Sequence, residues 1–430
     1  MSGTRTAVVG GGLAGLLSAL RLQEAGHTVE LREAAPHLGG MIAPVQLGSV
    51  RVDSGAEAYA VRGGVVRALC DELGLDVAGP AGTPHIWWQH GTFPMAEGVL
   101  GVPGSLDDPA LAVLTDAERA QVAAEAELGP EVGSDAVTIG DLVRARLGEA
   151  AVAKLVAPVT QGVYSMTPDR MPLSAFAPTL LDALASEGSL IAAVAHVRGP
   201  GSAAVEQPIG GMFTLIETLA DRFRAAGGSI RTGASVASLK RGGSGFIVSL
   251  HGGEVLDATR VVLAAPAAAT SVLLSHLGLD IPAPPVRTAR SALLSVTTPG
   301  LAANPVGSGV LLAERDDTLH ARALTHYSAK WPWAAETGEH VLRLSYPEHV
   351  MATRADVLRD ASRFVGIEIA EHEVTGFASV GWESMPTRID TSNRDFIVET
   401  ALQAGVDIVG AWLDGNGIAA VVGGTQRVLR

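Results

Sequence analysis

The sequence predicts an α/β protein, a Rossmann-like dinucleotide fold carrying a mixed α+β domain and a helical insertion. Three observations predict it. A strand-like run, Thr6-Ala7-Val8-Val9, feeds directly into Gly10-x-Gly12-x-x-Gly15, and the apolar series from Leu13 to Leu20 that overlaps the glycines has helical spacing. A second strand-like run, Val29-Glu30-Leu31-Arg32, ends on an acid, Glu33, 18 positions after Gly15. Buried-strand patterns then return late in the chain, at Arg260-Val261-Val262-Leu263 and at Ile408-Val409-Gly410-Ala411, so distant segments complete one sheet.

Each glycine of the first turn has a mechanical task. Gly10 allows the sharp exit from the strand, Gly12 lets backbone approach a pyrophosphate with no Cβ in the way, and Gly15 lets the helix pack close to the sheet. The free N–H groups at the start of that helix then face the anion. Gly26-His27-Thr28 breaks the helix, and Glu33 stands where a carboxylate accepts hydrogen bonds from adenosine ribose hydroxyls, which disfavours a 2′-phosphate. Pro36-His37-Leu38-Gly39-Gly40-Met41 resembles the second glycine pair of FAD enzymes related to glutathione reductase and the amine oxidases. A secretory leader, with Arg5 ahead of the apolar core, is the competing reading of the N-terminus; Arg21 ends the apolar run early for that, and a leader does not account for Glu33 or Gly39-Gly40.

At 430 residues and 47% hydrophobic composition the chain predicts two or three folded domains. A net charge of −14 argues against nucleic acid as a partner. A lone cysteine, Cys70, excludes an intrachain disulfide framework and suits a reducing cytoplasm. The longest uncharged run, 261–279, has the length of a membrane span, but Pro266, Thr270, Ser271, Ser275 and His276 interrupt it, and its start reads as a buried strand. The expectation is therefore a cytoplasmic protein, with peripheral contact at the inner face of the cell membrane left open.

Taken in order, Val50-Arg51-Val52-Asp53 alternates like a strand, and Ser54-Gly55-Ala56-Glu57-Ala58-Tyr59 leads to a helix that Gly74 ends. The segment from Asp53 to Tyr59 resembles the second flavin loop of the heme-biosynthesis porphyrinogen oxidases, the coproporphyrinogen III and protoporphyrinogen oxidases. Further blocks follow that family in order: Gly91-Thr92-Phe93-Pro94, Thr138-Ile139-Gly140-Asp141-Leu142, Gly162-Val163-Tyr164-Ser165, Gly210-Gly211-Met212-Phe213, Lys330-Trp331-Pro332, Trp382-x-x-x-Met385-Pro386 and Leu413-Asp414-Gly415-Asn416-Gly417-Ile418. The resemblance implies an FAD-binding domain in three segments (1–83, 206–270 and 375–430), a helical, membrane-binding-like domain over 84–205 and a substrate domain over 271–374. Helical patterns at 115–128, 139–147 and 150–156 suit the insertion. The sequence departs from the family at His37, Gly63, Tyr346-Pro347 and Ala420 to Gly424, so the cofactor motifs look intact and the substrate fit less secure.

The resemblance implies a six-electron oxidation of a porphyrinogen by FAD, with O2 as acceptor and three H2O2 formed, and a product handed to other heme-biosynthesis enzymes. It carries cofactor contacts onto Gly10, Gly11, Gly12, Leu13, Ala14, Gly15, Glu33, Gly40, Met41, Gly55, Ala56, Glu57, Ala58, Val236, Trp382, Asn416, Gly417 and Ile418. For Val236 and Trp382 plain core packing competes with this role. No protein base is demanded, so no catalytic residue is named. A tetrapyrrole with propionate arms needs a flat apolar slot and a cation in this acidic chain. Arg62 is the candidate cation and Tyr59 the candidate ring contact, against surface and core readings of each. His85, Trp87, Trp88 and His90 cluster without companion ligands at metal spacing, and no metal is expected. Three lysines against 28 arginines suggest a GC-rich bacterial genome, which favours coproporphyrinogen III over protoporphyrinogen IX. An amine-oxidase or phytoene-desaturase type oxidoreductase and a catalytically degenerate flavin-binding regulator stand as the other readings.

Overall fold

The computed structural model describes residues 4–89, 91–164, 166–198, 204–243, 245–314, 316–386 and 391–429, with backbone alone for 163, 383–386 and 391. His90 and Ser165, both singled out in the sequence, lie outside them.

The chain is organised around a five-stranded parallel sheet in the order Ser229–Arg231, Thr28–Arg32, Arg5–Val9, Arg260–Leu263, Val406–Ile408. We call Arg5–Val9 β1, the helix Leu13–Glu24 α1 and Thr28–Arg32 β2. Val8, Leu31 and Val262 are fully buried, as a sheet covered on both faces requires. One cover is α1, apolar around most of its circumference, packed against helices Phe213–Ala225 and Ile418–Gly424. Gly26, at φ +90° in open space, takes the left-handed position that turns the chain from α1 into β2. The other cover is an antiparallel sheet, Val236–Gly242, Gly245–Leu250 and Val255–Ala258, together with helices Ala267–Ser275 and Thr391–Gln403.

A second sheet has seven strands in the order Val374–Pro386, Val286–Val296, His340–Tyr346, Ala323–His326, Gly309–Leu312, His85–Trp88, Gly91–Pro94. Its pairings are antiparallel except where Gly309–Leu312 lies parallel to His85–Trp88. Helix Arg354–Val365 packs on one face. On the other lie Tyr327, Trp331 and the hairpin Pro44–Leu47/Val50–Asp53.

This sheet crosses two expected boundaries. Residues 85–94, placed at the start of the helical insertion, form its outer hairpin, with Ile86 and Trp87 buried. Residues 374–386, placed mostly in the closing nucleotide-binding segment, pair with Val286–Val296. Their partners lie up to 225 positions away along the chain, so no local pattern marks them.

The helices Asp116–Ala124, Ile139–Leu147, Ala157–Tyr164, Leu180–Glu187 and Leu190–Arg198 enclose their own core around Ile139, Leu142, Leu180 and Val194. Capping boxes, Thr115 with Glu118 and Thr138 with Asp141, start the first two. Residues 261–279 begin in the strand Arg260–Leu263 and continue into helix Ala267–Ser275; among the described residues no helix is long and apolar enough to cross a membrane.

Candidate functional site

A cavity of about 760 Å³ lies over the carboxyl ends of β1 and β2. This is where an open α/β sheet presents a crevice between diverging loops. Its wall runs from Arg32, Glu33, Ala34 and Ala234 to Ala237, past Gly10, Gly12, Leu13, Ala14, Gly40 and Met41, to Ala56, Trp382, Gly410 to Trp412, Asn416 and Ile418.

The glycines of the first turn differ in what surrounds them. A Cβ on Gly15 would stand 1.9 Å from the Gly10 carbonyl oxygen, and one on Gly10, already at φ +111°, would stand 2.5 Å from the Ala264 oxygen. Both are needed for helix and strand to meet. A Cβ on Gly12 would meet only the Gly39 oxygen at 3.8 Å, so Gly12 leaves open space on its cavity side. Gly39 donates its N–H to the Gly11 carbonyl at 2.9 Å, tying the second glycine pair to the first. At the end of β2, Glu33 Oε2 accepts the Gly11 N–H at 2.5 Å and Oε1 the Ala35 N–H at 2.7 Å. The carboxylate is thus aimed by backbone and keeps lone pairs for a ligand.

At the other end, Gly55 is wedged: a Cβ there would sit 2.1 Å from the Met41 oxygen and 3.2 Å from Trp382 Cζ2. Ala56 donates its N–H to the same Met41 oxygen at 2.9 Å. The loop hangs from Asp53, which is fully buried and accepts from Met212 N (2.9 Å), Phe213 N (3.0 Å), Tyr327 OH (2.8 Å) and Gln207 Nε2 (2.8 Å). Burial pushes its carboxyl up to about 6 even against those donors. In the closing segment Gly417 caps helix Ile418–Gly424, and Arg427 grips Asp414 through its two terminal guanidinium nitrogens at 2.6 and 3.1 Å. A Cβ on Gly424 would stand 2.2 Å from Asp414 Oδ2, so glycine at this position makes room for that pair.

Of the residues expected at the cofactor, Gly10, Gly12, Leu13, Ala14, Glu33, Gly40, Met41, Ala56, Val236, Trp382, Asn416 and Ile418 share this one wall. Gly11, Gly15, Gly55 and Gly417 support it from behind through the backbone contacts above. Ala58 packs with Tyr327 and Trp331 away from it, and the Glu57 carboxylate is paired with Lys330 and Arg343. The two expected substrate contacts also lie off the wall. Tyr59 is 2% exposed and donates its hydroxyl to Glu206 at 2.8 Å, a core position set by the short pairing of residues 59–60 with Val205–Pro208. Arg62 is exposed, and its guanidinium reaches the Ala175 carbonyl at 3.4 Å.

Several wall residues went unread in the sequence. The alanines 264, 265, 267, 268 and 269 flank Pro266 after the strand Arg260–Leu263, and their small size is the signal that something packs closely there. Trp412 went unread as well. Its Nε1, like Trp382 Nε1, is buried without a hydrogen-bond partner, and both rings line the cavity. Two orphaned donors among small apolar side chains, opposite an anion-ready helix start, fit a ligand with an apolar ring system bearing acceptors at one end and a pyrophosphate further along. FAD has that constitution.

The comparison with known proteins agrees. The family described as flavin containing amine oxidoreductase matches residues 13–378. The coproporphyrinogen III oxidase of Mycobacterium tuberculosis (strain ATCC 25618 / H37Rv) is 32% identical over 455 residues, spanning 98% of this chain and 96% of its own. That of Bacillus subtilis (strain 168) is 25% identical over 358 residues, or 78% and 76%. Among solved structures, a protein of Exiguobacterium sp. 255-15, provisionally called a protoporphyrinogen oxidase, has the same fold with a TM-score of 0.78 at 23% identity, across 100% of this chain and 98% of that one. The chain belongs to the flavin containing amine oxidoreductase family and is an FAD-dependent oxidoreductase.

Proposed function

We propose that the protein oxidises coproporphyrinogen III to coproporphyrin III, with O2 as the electron acceptor. The observation that carries this reading is the 32% identity to a coproporphyrinogen III oxidase along 98% of the chain. FAD, when bound, supplies the chemistry of taking a hydride from a substrate carbon and passing electron pairs to oxygen. The work left to this chain is binding and orientation. Gly10, Gly12 and the N–H groups opening α1 would hold the pyrophosphate, Glu33 the ribose, and Ala56, Trp382, Trp412, Asn416 and Ile418, which line the same cavity, the ring system. No side chain needs to act as a strong base, because the substrate's own pyrroles stabilise the charge left by hydride loss and the resulting N–H is acidic.

The test is turnover of the FAD-loaded protein with coproporphyrinogen III and with protoporphyrinogen IX in air. Fluorescent coproporphyrin should accumulate with three H2O2 per porphyrin, since six electrons leave in three pairs. Faster turnover of protoporphyrinogen IX would exchange the substrate. Oxidation of neither, with FAD bound, would leave a flavin-binding regulator.

A further inference from the structure

The ion cluster behind the flavin loop is unexplained by cofactor contact alone. Glu57, Lys330 and Arg343 have side chains 15, 20 and 16% exposed, and Glu57 is held by both cations, Lys330 at Oε1 and Arg343 at Oε2 (3.4 Å). Burial alone would raise the Glu57 carboxyl; Lys330 and then Arg343 outweigh it and hold the group below its ordinary range. Arg343 Nη1 also donates to the Gly55 carbonyl oxygen at 2.6 Å, and Gln207 Nε2 donates to the Glu57 carbonyl at 2.6 Å. The loop is therefore held from behind at the carbonyls of Gly55 and Glu57 and at the Glu57 carboxylate. In front, Gly55 is wedged between the Met41 carbonyl and Trp382, and Ala56 faces the cavity. Both cations come from the seven-stranded sheet and its adjoining turn, Arg343 from strand His340–Tyr346 and Lys330 from the helical turn Tyr327–Lys330, so that sheet reaches across to set a loop of the cavity wall.

We propose that Lys330 and Arg343 are positioning residues that clamp the 55–57 loop through Glu57 and the Gly55 carbonyl, and so fix the ring end of FAD while leaving its ADP half untouched. A half-buried carboxylate that loses one of two cations keeps its desolvation cost without its compensation, so the loop rather than the core yields. The nucleotide half rests on Gly10, Gly12 and Glu33, none of which touches the cluster. The inference concerns cofactor seating and holds whichever porphyrinogen is the substrate.

The test compares two ligands on the same protein. FAD release from the holoprotein is followed by recovery of flavin fluorescence, and the full-chain apoprotein is then titrated with FAD and with ADP. In Lys330→Met and Arg343→Met the FAD dissociation constant should rise about tenfold, the ADP constant should change less than about twofold, and the visible circular dichroism of bound FAD should alter. Arg343→Lys keeps the charge but not the two-acceptor reach, so it should fall between wild type and Arg343→Met. Glu57→Gln, which leaves no carboxylate unpaired, should fold normally and still release FAD faster. Equal weakening of FAD and ADP would make the cluster a core ion pair, and unchanged FAD binding in all four variants would remove the clamp; either result overturns the proposal.

Discussion

Gly12→Ala and Gly15→Ala place the same methyl group three residues apart and should fail in opposite ways. At Gly15 the new Cβ would lie 1.9 Å from the Gly10 carbonyl oxygen and 3.2 Å from Ala264 Cβ. Alanine in a helix interior gains up to about 1 kcal/mol over glycine. A contact that short with backbone exceeds this, because neither α1 nor β1 can move without breaking the parallel ladder to β2 and to Arg260–Leu263. Overpacking costs about 1–3 kcal/mol where neighbours can adjust, and here the neighbour is main chain, so the cost sits at or above the top of that range. At Gly12 the backbone has φ −76° and the methyl would meet only the Gly39 oxygen at 3.8 Å. The apoprotein should gain about 0.4–1 kcal/mol from a less flexible unfolded chain. The methyl would occupy space the pyrophosphate needs, and about 1–3 kcal/mol of overpacking is roughly a 5- to 150-fold loss of FAD affinity. Urea unfolding of the apoproteins and fluorescence titration with FAD separate the two. Gly12→Ala should unfold no earlier than wild type and bind FAD weakly; Gly15→Ala should unfold early. Wild-type FAD affinity in Gly12→Ala would refute the placement of the pyrophosphate, and wild-type stability in Gly15→Ala would refute the strand-helix contact.

Glu33→Ala removes a carboxylate that two backbone N–H groups aim at the cavity, and should weaken FAD by about 1–3 kcal/mol; equilibrium dialysis against FAD measures it, and an unchanged constant would mean the ribose lies elsewhere. Asp53 should give stability a pH dependence of definite sign. Its carboxyl is raised from 3.8 to about 6 in the folded protein, so the folded state binds the proton more tightly than the unfolded chain, and the stability so gained is complete below about pH 4 and lost as pH rises through about 6. Urea midpoints across that window should fall by the equivalent of about 3 kcal/mol from this group, and Asp53→Asn should remove the fall. An identical pH profile in the variant would show that Asp53 is not the group responsible.

The nucleotide half of the site was readable because its chemistry is local. Strand, turn and helix follow one another within residues 5–24, and each glycine's role is decided by neighbours within a few positions or by one neighbouring strand. Glu33 was readable for the same reason, since a carboxylate at the end of β2 has one place to point. The remaining cofactor positions came from resemblance, and twelve of the eighteen proposed contacts meet on one wall. What local pattern could not supply was pairing at a distance. The hairpin of residues 85–94 carries no local sign that its partner is Gly309–Leu312, 225 positions further along.

Tyr59 and Glu57 show the same limit acting on side chains. A tyrosine after a flavin loop is equally suited to a pocket and to a core, and the choice is made by Glu206, 147 residues on, which takes its hydroxyl. Glu57 looks like a ligand contact until Lys330 and Arg343, 273 and 286 positions later, claim both its oxygens. An acidic chain with only three lysines nevertheless sets one of them, largely shielded from solvent, against this carboxylate, at a desolvation cost that surface charge would avoid. Hydrophobic packing could have closed the same gap, but it would not grip the Gly55 carbonyl, and a loop that lines a ligand cavity needs its backbone fixed more than its volume filled.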